Sequence, residues 1–415
     1  MKRKLGLLLL GIVISIFTYA QDTARHLDME QRTSGLEEKI SVLEKVKFSG
    51  YIQAQFQWGQ ENVTLKVGEG RKNSEGSYSR VGIRRGRLKM TATDRLGEGV
   101  FEIDINDGGM KVRNVYASIN DPLKIVSFRL GIFDRCFGYE LMHSSSNLES
   151  MERSRVVNTL MPDEKDLGGM LQLQAPKRHV LNFLKLWAGL FSGNGIGKDA
   201  DGRKDFIGRL SATKDVGKFV KLGGGVSYYN GGVYQPKTNY YKMGGSDFIK
   251  DTCTIGDYAK KEYVGADVQL SVLNALGKTT IRLEYITGQQ PGIAEASTSC
   301  KDGTNFTDEL YLRPFMGGYA ILVHDILKTK FAVVAKYDYY DPNTKVSGSN
   351  IGLGETTAAD IAYGTVGVGG LCRITKYLTF QIYYDFVFNE KTDNIVDFRS
   401  DRKDNFLSCR LQYKF

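Results

Sequence analysis

The most chemically loaded stretch of the sequence is Ile83-Arg84-Arg85-Gly86-Arg87-Leu88-Lys89-Met90, with four cations in six positions. A guanidinium is a planar fork of donors that fits carboxylate or phosphate two bonds at a time, and an ammonium adds a compact charge. In an extended strand alternate side chains share a face, so Arg85, Arg87 and Lys89 stand together, opposite Gly86, Leu88 and Met90. Arg84 breaks the alternation and must sit at an interface or in a local bulge. Other alternating runs put Arg113, Arg129, Lys185, Arg209, Lys221, Arg282, Lys336 and Arg373 on the equivalent face. Acids on that face are fewer: Glu102, Asp104, Asp267, Glu284, Asp338 and Asp385. An enclosure lined mainly by one sign of charge concentrates the opposite ion. The plainer reading is that these charges pair and fix the shape of the wall.

Catalytic chemistry has little to stand on. There are four histidines, and His143 precedes Ser144-Ser145-Ser146-Asn147. Neighbours on one loop do not make a triad, and no G-x-S-x-G occurs. Five cysteines show no C-x-x-C and no Cys/His spacing, so no metal or cofactor is expected. Cys253 and Cys300 fall in long loops of successive hairpins, where a disulfide and two free thiols are both open. Cys372 and Cys409 fall on apolar faces, where a thiol acts as a small apolar group.

The elements that position the cations begin with an export signal. MKRK is a basic segment, LGLLLLGIVISIF an apolar one, and Thr18-Tyr19-Ala20 a small-residue cleavage site, so residues 1–20 read as a signal peptide. The net charge is +9, of which Lys2, Arg3 and Lys4 supply three, leaving six for the exported remainder. Export removes nucleic acid as a partner and leaves anionic solutes and membrane headgroups. Residues 21–46 carry Leu36, Ile40 and Leu43 at helical spacing, a short periplasmic helix or small coiled coil.

From Lys47 the period becomes two. Phe48, Ile52, Ala54, Phe56 and Trp58 oppose Tyr51, Gln53, Gln55 and Gln57, and the same dyad recurs to the end of the chain. No later stretch approaches 18 apolar residues, the length of a membrane helix. Seven short turns alternate with eight mostly longer loops: 59–77, 106–110, 134–165, 192–203, 230–261, 288–310, 341–359 and 390–402. Fifteen connections give sixteen strands. An even count with tight turns at one end and long loops at the other is the outer-membrane pattern. The last strand alternates Leu407, Cys409, Leu411, Tyr413 and Phe415 with polar residues and stops on the aromatic. The fold expected is all-β: a 16-stranded antiparallel transmembrane β-barrel over 47–415, behind the short helix. Cations facing lipid cost about 2–4 kcal/mol at the bilayer midplane, so the basic run points inward.

Within this pattern the third loop, 134–165, is long and ends in Met151-Glu152-Arg153-Ser154-Arg155. Leu130-Gly131-Ile132-Phe133-Asp134-Arg135-Cys136-Phe137-Gly138-Tyr139-Glu140 and the later Met151-Glu152-Arg153-Ser154 resemble the phosphate-selective porin O and P family, with its G-x-F-x-x-x-F-G-x-E run and M-E-R-S block. Arg84-Arg85-Gly86-Arg87-Leu88 resembles its R-R-x-x-L strand, and Ala188–Gly195 its G-x-F-N-G strand end. The resemblance covers most of 47–415. It implies a homotrimeric outer-membrane porin with an inward third loop and an arginine-lined path to a central anion site. Arg84 and Arg85, and Arg153 from the loop, match that site. Arg87 stands where an aromatic is common, Cys136 where a proline is, and Asn114 where an acid is; these departures bear on phosphate selectivity rather than fold.

The sequence therefore leads to a passive, anion-preferring pore for phosphate or other small anions, lined by Arg84, Arg85, Arg87, Lys89, Arg113, Arg129, Arg153, Arg155 and Arg209. Arg153 and Arg155 are expected across the narrowest point from Arg85 and Arg87. A general or neutral-solute porin, and a structural or adhesive barrel without transport, are the alternatives.

Overall fold

The computed structural model describes Met29, Arg32–Ser34 and residues 45–123, 125–299 and 308–415. The expected signal peptide, most of the 21–46 segment and Cys300 lie outside the described residues, and so does any pairing of Cys300 with Cys253. Met29 and Arg32–Ser34 are helical.

The strands in chain order are β1 (Val46–Gly59), β2 (Tyr78–Thr93), β3 (Gly97–Asn106), β4 (Gly109–Asn120), β5 (Val126–Asp134), β6 (Lys165–Gln174), β7 (Leu184–Phe191), β8 (Asp205–Val216) and β9 (Val220–Tyr234). They continue as β10 (Asn239–Gly244), β11 (Asp247–Thr252), β12 (Tyr258–Asn274), β13 (Gly277–Gly292), β14 (Leu310–Ile326), β15 (Phe331–Asp341), β16 (Tyr363–Arg373), β17 (Leu378–Asn389) and β18 (Phe406–Lys414). Each barrel strand pairs antiparallel with its sequence neighbour, β9 pairs directly with β12, and β1 closes the ring against β18. Sixteen strands thus form a closed barrel. The β10–β11 hairpin stands apart from the ring, with β10 lying parallel against the start of β14.

Closure leaves the ring itself without an open edge, and its outer face is apolar. Phe48, Ile52, Phe101, Phe128, Leu130, Val264, Val268, Phe331, Val333, Tyr337, Phe386, Leu411 and Tyr413 are all exposed. A soluble monomer rarely exposes contiguous apolar surface on this scale; lipid covers it in a barrel. On β1 the opposite side chains, Gln53, Gln55 and Gln57, are buried in the lumen.

Two strands depart from simple alternation. Gln53 pairs with Arg85 while Ala54 pairs with Ile83, so Arg84 is the extra residue of a bulge in β2. Glu102 pairs with Asn114 while Ile103 pairs with Val112, so Arg113 is the extra residue in β4. Each bulge lets consecutive polar residues approach the lumen, which is why 111–119 has no clear facing in the sequence. The connection read as a loop at 106–110 is only Asp107-Gly108, a two-residue turn. The 230–261 loop contains the hairpin.

The lumen is not polar throughout. Residues 135–164, between β5 and β6, carry a short helix α1 (Arg155–Leu160). Val156, Val157 and Leu160 of α1, with Phe137 and Leu141, pack against inward Ile207, Tyr229, Tyr263, Ile286, Phe315 and Tyr340. Phe137 meets the Tyr229 and Tyr263 rings edge-on at 6.4 and 6.2 Å. Gly317 gives α1 its seat, since a Cβ there would stand 2.8 Å from Val156. The inward aromatics of β9, β12, β14 and β15 are therefore the floor of a dry core under the loop.

Candidate functional site

The 135–164 segment is tied to inward side chains around the ring. Gln53 of β1 donates to the Ser145 carbonyl at 3.4 Å, Gln412 of β18 to Ser146 at 3.0 Å and Gln381 of β17 to Leu148 at 3.0 Å. Arg282 of β13 grips Glu149 with two bonds of 2.7 Å, and Lys336 of β15 reaches Glu140 at 2.6 Å. The Glu284 carboxylate accepts from the backbone N–H groups of Tyr139 and Glu140 at 3.2 and 2.9 Å. Gly138 makes this approach possible: its φ is +63°, and an added Cβ would collide with Glu284 Oε1.

Two loop carboxylates sit among the lumen arginines. Glu152 takes a bidentate pair from Arg84 at 2.8 and 2.9 Å, a bond from Arg85 at 3.3 Å and one from Arg410 of β18 at 2.9 Å. Glu164 bonds to Arg113 at 3.1 Å and to Arg153, with Arg87 at 3.9 Å. Arg87 is also held by Asp104 at 3.3 Å and lies 3.5 Å from Glu102. Burial opposes charge on Glu152, but Arg84, Arg85 and Arg410 overcome it and hold its carboxyl well below the usual carboxylate range. Burial likewise opposes charge on Glu164, and Arg153, Arg113 and Arg87 hold that carboxyl down. Six arginines against four carboxylates leave an excess of two positive charges at the loop.

Cavities open on both sides of this cluster. One, at the end of the barrel where the chain terminates, is lined by Tyr51, Arg87, Lys89, Glu164, Lys165 and Lys414, among others. The other, at the long-loop end, is lined by Lys66, Glu152, Arg155, Asp338, Asp385 and Arg402, among others. Arg153 belongs to both linings, so the cluster stands where the two cavities approach each other.

No family model matches the chain, and no curated protein matches it. Solved structures do. OprB of Pseudomonas putida at high pH superposes with a TM-score of 0.57 at 9% identity, covering 91% of this chain and 96% of that one. Salmonella typhi OmpF in complex with daunomycin gives 0.54 at 11%, covering 89% and 97%. OmpT of Vibrio cholerae, an outer-membrane protein in a trimer form, gives 0.51 at 12%, covering 89% and 99%. The fold is that of a bacterial outer-membrane porin. With its apolar belt and closed ring, the chain is an outer-membrane β-barrel, and its likeness to these porins is a likeness of fold.

Within the porin barrel the residues expected from the sequence separate into groups. Arg84, Arg85, Arg87 and Arg113 converge on the two loop glutamates, and Lys89 lines the cavity beside them. Arg153 does not face Arg85 and Arg87 as a bare cation. It turns back into its own loop, donating to the carbonyls of Glu140 at 3.0 Å and His143 at 2.7 Å. Arg155 lies over the Tyr363 ring at 4.0 Å, on the long-loop side. What faces Arg85 and Arg87 is Glu152 and Glu164, because opposed cations in a low-dielectric enclosure repel, whereas a carboxylate satisfies them. Arg129 is drawn aside onto the Tyr116 ring at 4.2 Å. Arg209 is closed by Asp267 at 2.5 and 3.0 Å and lines a separate cavity with Lys185, Trp187 and Lys221.

Arg410, Glu152 and Glu164 are the residues of this cluster that sequence reasoning missed. Arg410 had a signal, its inward place between Ser408 and Gln412. Glu152 and Glu164 had none, because their direction depends on the path of the loop. His143 and Ser144–Ser146 form no triad: the His143 ring bonds to the Asn147 carbonyl at 3.2 Å and stacks on Tyr139. Among the described residues no group of acids, histidines and cysteines is arranged to hold a metal.

Proposed function

We propose that the protein is a passive outer-membrane diffusion channel preferring small anions, exported by its signal peptide and assembled as a homotrimer. The reading rests on one observation, the cluster of Arg84, Arg85, Arg87, Arg113, Arg153 and Arg410 between the two cavities, with its excess of positive charge. An anion passing there exchanges part of its hydration for guanidinium donors already arrayed in the wall. The path then continues past Lys89, Lys165 and Lys414. Phosphate suits the bidentate forks of Arg84 and Arg85, and the resemblance to the phosphate-selective porins adds to that reading. The work is diffusion rather than catalysis, and the natural partners are solute and lipid, not nucleic acid.

A second reading has an observation of its own. Each cluster arginine already holds a carboxylate, which is the arrangement of a general porin whose lumen charges fix shape. Block of chloride current by added phosphate separates the two. In the anion reading phosphate interrupts the current, and Arg85→Glu abolishes the interruption. In the general reading phosphate passes without block, and Arg85→Glu changes conductance but not selectivity.

A further inference from the structure

The cavity at the long-loop end has a wall that the anion reading does not use. Asp338 of β15 and Tyr383 and Asp385 of β17 stand on one side, and Asp404 lies in the loop before β18. Arg155, Arg402 and Lys66 line the same cavity. Among the described residues neither these three aspartates nor Arg155 and Arg402 make a salt bridge. Lys336, on the same strand as Asp338 and in the same lining, is committed to Glu140 at 2.6 Å.

Five buried polar atoms of this lining have no hydrogen-bond partner: Asp338 Oδ1, Asp404 Oδ1, Tyr383 Oη, Arg155 Nε and Arg402 Nε. Asp338 and Tyr383 are 9% and 3% exposed, so their bare acceptors are costly unless something meets them. Both signs of charge are thus present and unspent in one cavity. A simple anion is repelled by three carboxylates, and a simple cation by two guanidiniums and an ammonium. A solute carrying both charges satisfies each wall at once. The aromatic face of Tyr363, already covered by Arg155 at 4.0 Å, holds that guanidinium in place.

We propose that this cavity is a binding site for small zwitterions, amino acids or short peptides. The ammonium sits against Asp338, Asp385 and the Tyr383 hydroxyl, and the carboxylate against Arg155 and Arg402. The site lies on the long-loop side of the arginine cluster and selects solutes before they reach it.

The test is ligand-observed saturation-transfer NMR on the folded, detergent-solubilised full chain, which reads binding whether or not the channel conducts. Glycine and 4-aminobutyrate are the probes, with acetate, methylammonium and glucose as matched single-charge and neutral controls. At least one zwitterion is expected to give a signal several-fold above all three controls. Asp338→Asn and Arg155→Gln each remove it, and Tyr383→Phe, which deletes one oxygen and keeps the ring, weakens it. Heat-modifiable electrophoretic migration of each variant checks that the barrel is folded. Equal signals from acetate, from methylammonium or from glucose overturn the proposal. So does zwitterion binding that survives both charge variants, or its absence from the folded wild type.

Discussion

Replacing Glu152 by Gln removes the negative charge that three guanidiniums share, and one of its two acceptor oxygens, without changing the size of the side chain. Arg84 loses its bidentate pairing at 2.8 and 2.9 Å and, because only one oxygen of the amide still accepts, either the Arg85 bond of 3.3 Å or the Arg410 bond of 2.9 Å goes with it. Glu152 is 15% exposed at its side chain, so the broken pairing costs about 3–5 kcal/mol of local stability. The loop stays seated, because Glu140–Lys336, Glu149–Arg282, Glu164–Arg113 and the apolar underside of α1 are untouched. The charge excess of the cluster rises from two to three. One further unpaired charge about 4 Å from a passing ion contributes about 1 kcal/mol at the dielectric of water, and more in the enclosure. That is about a fivefold rise in local anion concentration. The chloride-to-potassium permeability ratio, from the zero-current potential of single channels in a KCl gradient, should rise by about that factor. The effect should shrink in concentrated salt, where the screening length falls to about 3 Å. An unchanged ratio, or a move toward potassium, refutes the claim that these guanidiniums face the permeating ion.

Other perturbations follow from the same geometry. Gly138→Ala forces a Cβ onto the Glu284 carboxylate at a positive φ, so the loop should lose its two backbone bonds to Glu284 and single-channel conductance should rise. Lowering pH should raise anion preference in two stages, read as permeability ratio against pH. Burial lifts the Asp404 carboxyl to about 6, so its negative charge is present above that pH and lost below it, and Asp404→Asn should reduce this component. Glu152 and Glu164, held low by arginines, keep their pairing above the ordinary carboxylate pKa. They lose it only as pH falls through their depressed folded values, and Glu152→Gln with Glu164→Gln should abolish that stage. Cys136 is fully buried, with its thiol pushed up to about 12 by burial. It should resist maleimide in the folded barrel and label on unfolding, as followed by mass spectrometry.

The barrel was legible because its signals are local. Alternation in Gln53–Gln57 and Leu407–Phe415, and the contrast between short turns and long loops, require only neighbours in sequence. The doublet Arg84-Arg85 also announced its bulge by breaking alternation. The count of sixteen strands survived even though one expected loop is the two-residue turn at Asp107-Gly108 and another holds the β10–β11 hairpin. The site was half legible. Inward cations could be picked from strand period alone, but their partners could not. Glu152 and Arg153 are adjacent in sequence and point to opposite sides, one to the wall and one back into the loop. Nothing in the loop's own pattern decides which. The dry half of the lumen was hidden for a related reason: strand period puts Tyr263 on the inward face with Asp267, but only the path of Phe137 and α1 decides that the inward rings of Tyr229, Tyr263 and Phe315 are covered rather than wet.

The central claim is that ions cross the barrel beside an arginine cluster with a net positive charge. The most direct measurement is the zero-current potential of a single wild-type channel in a KCl gradient. The account predicts a potential displaced toward the chloride equilibrium value, and displaced toward potassium by Arg85→Glu. A wild-type potential on the potassium side, or a folded barrel that carries no current, contradicts it.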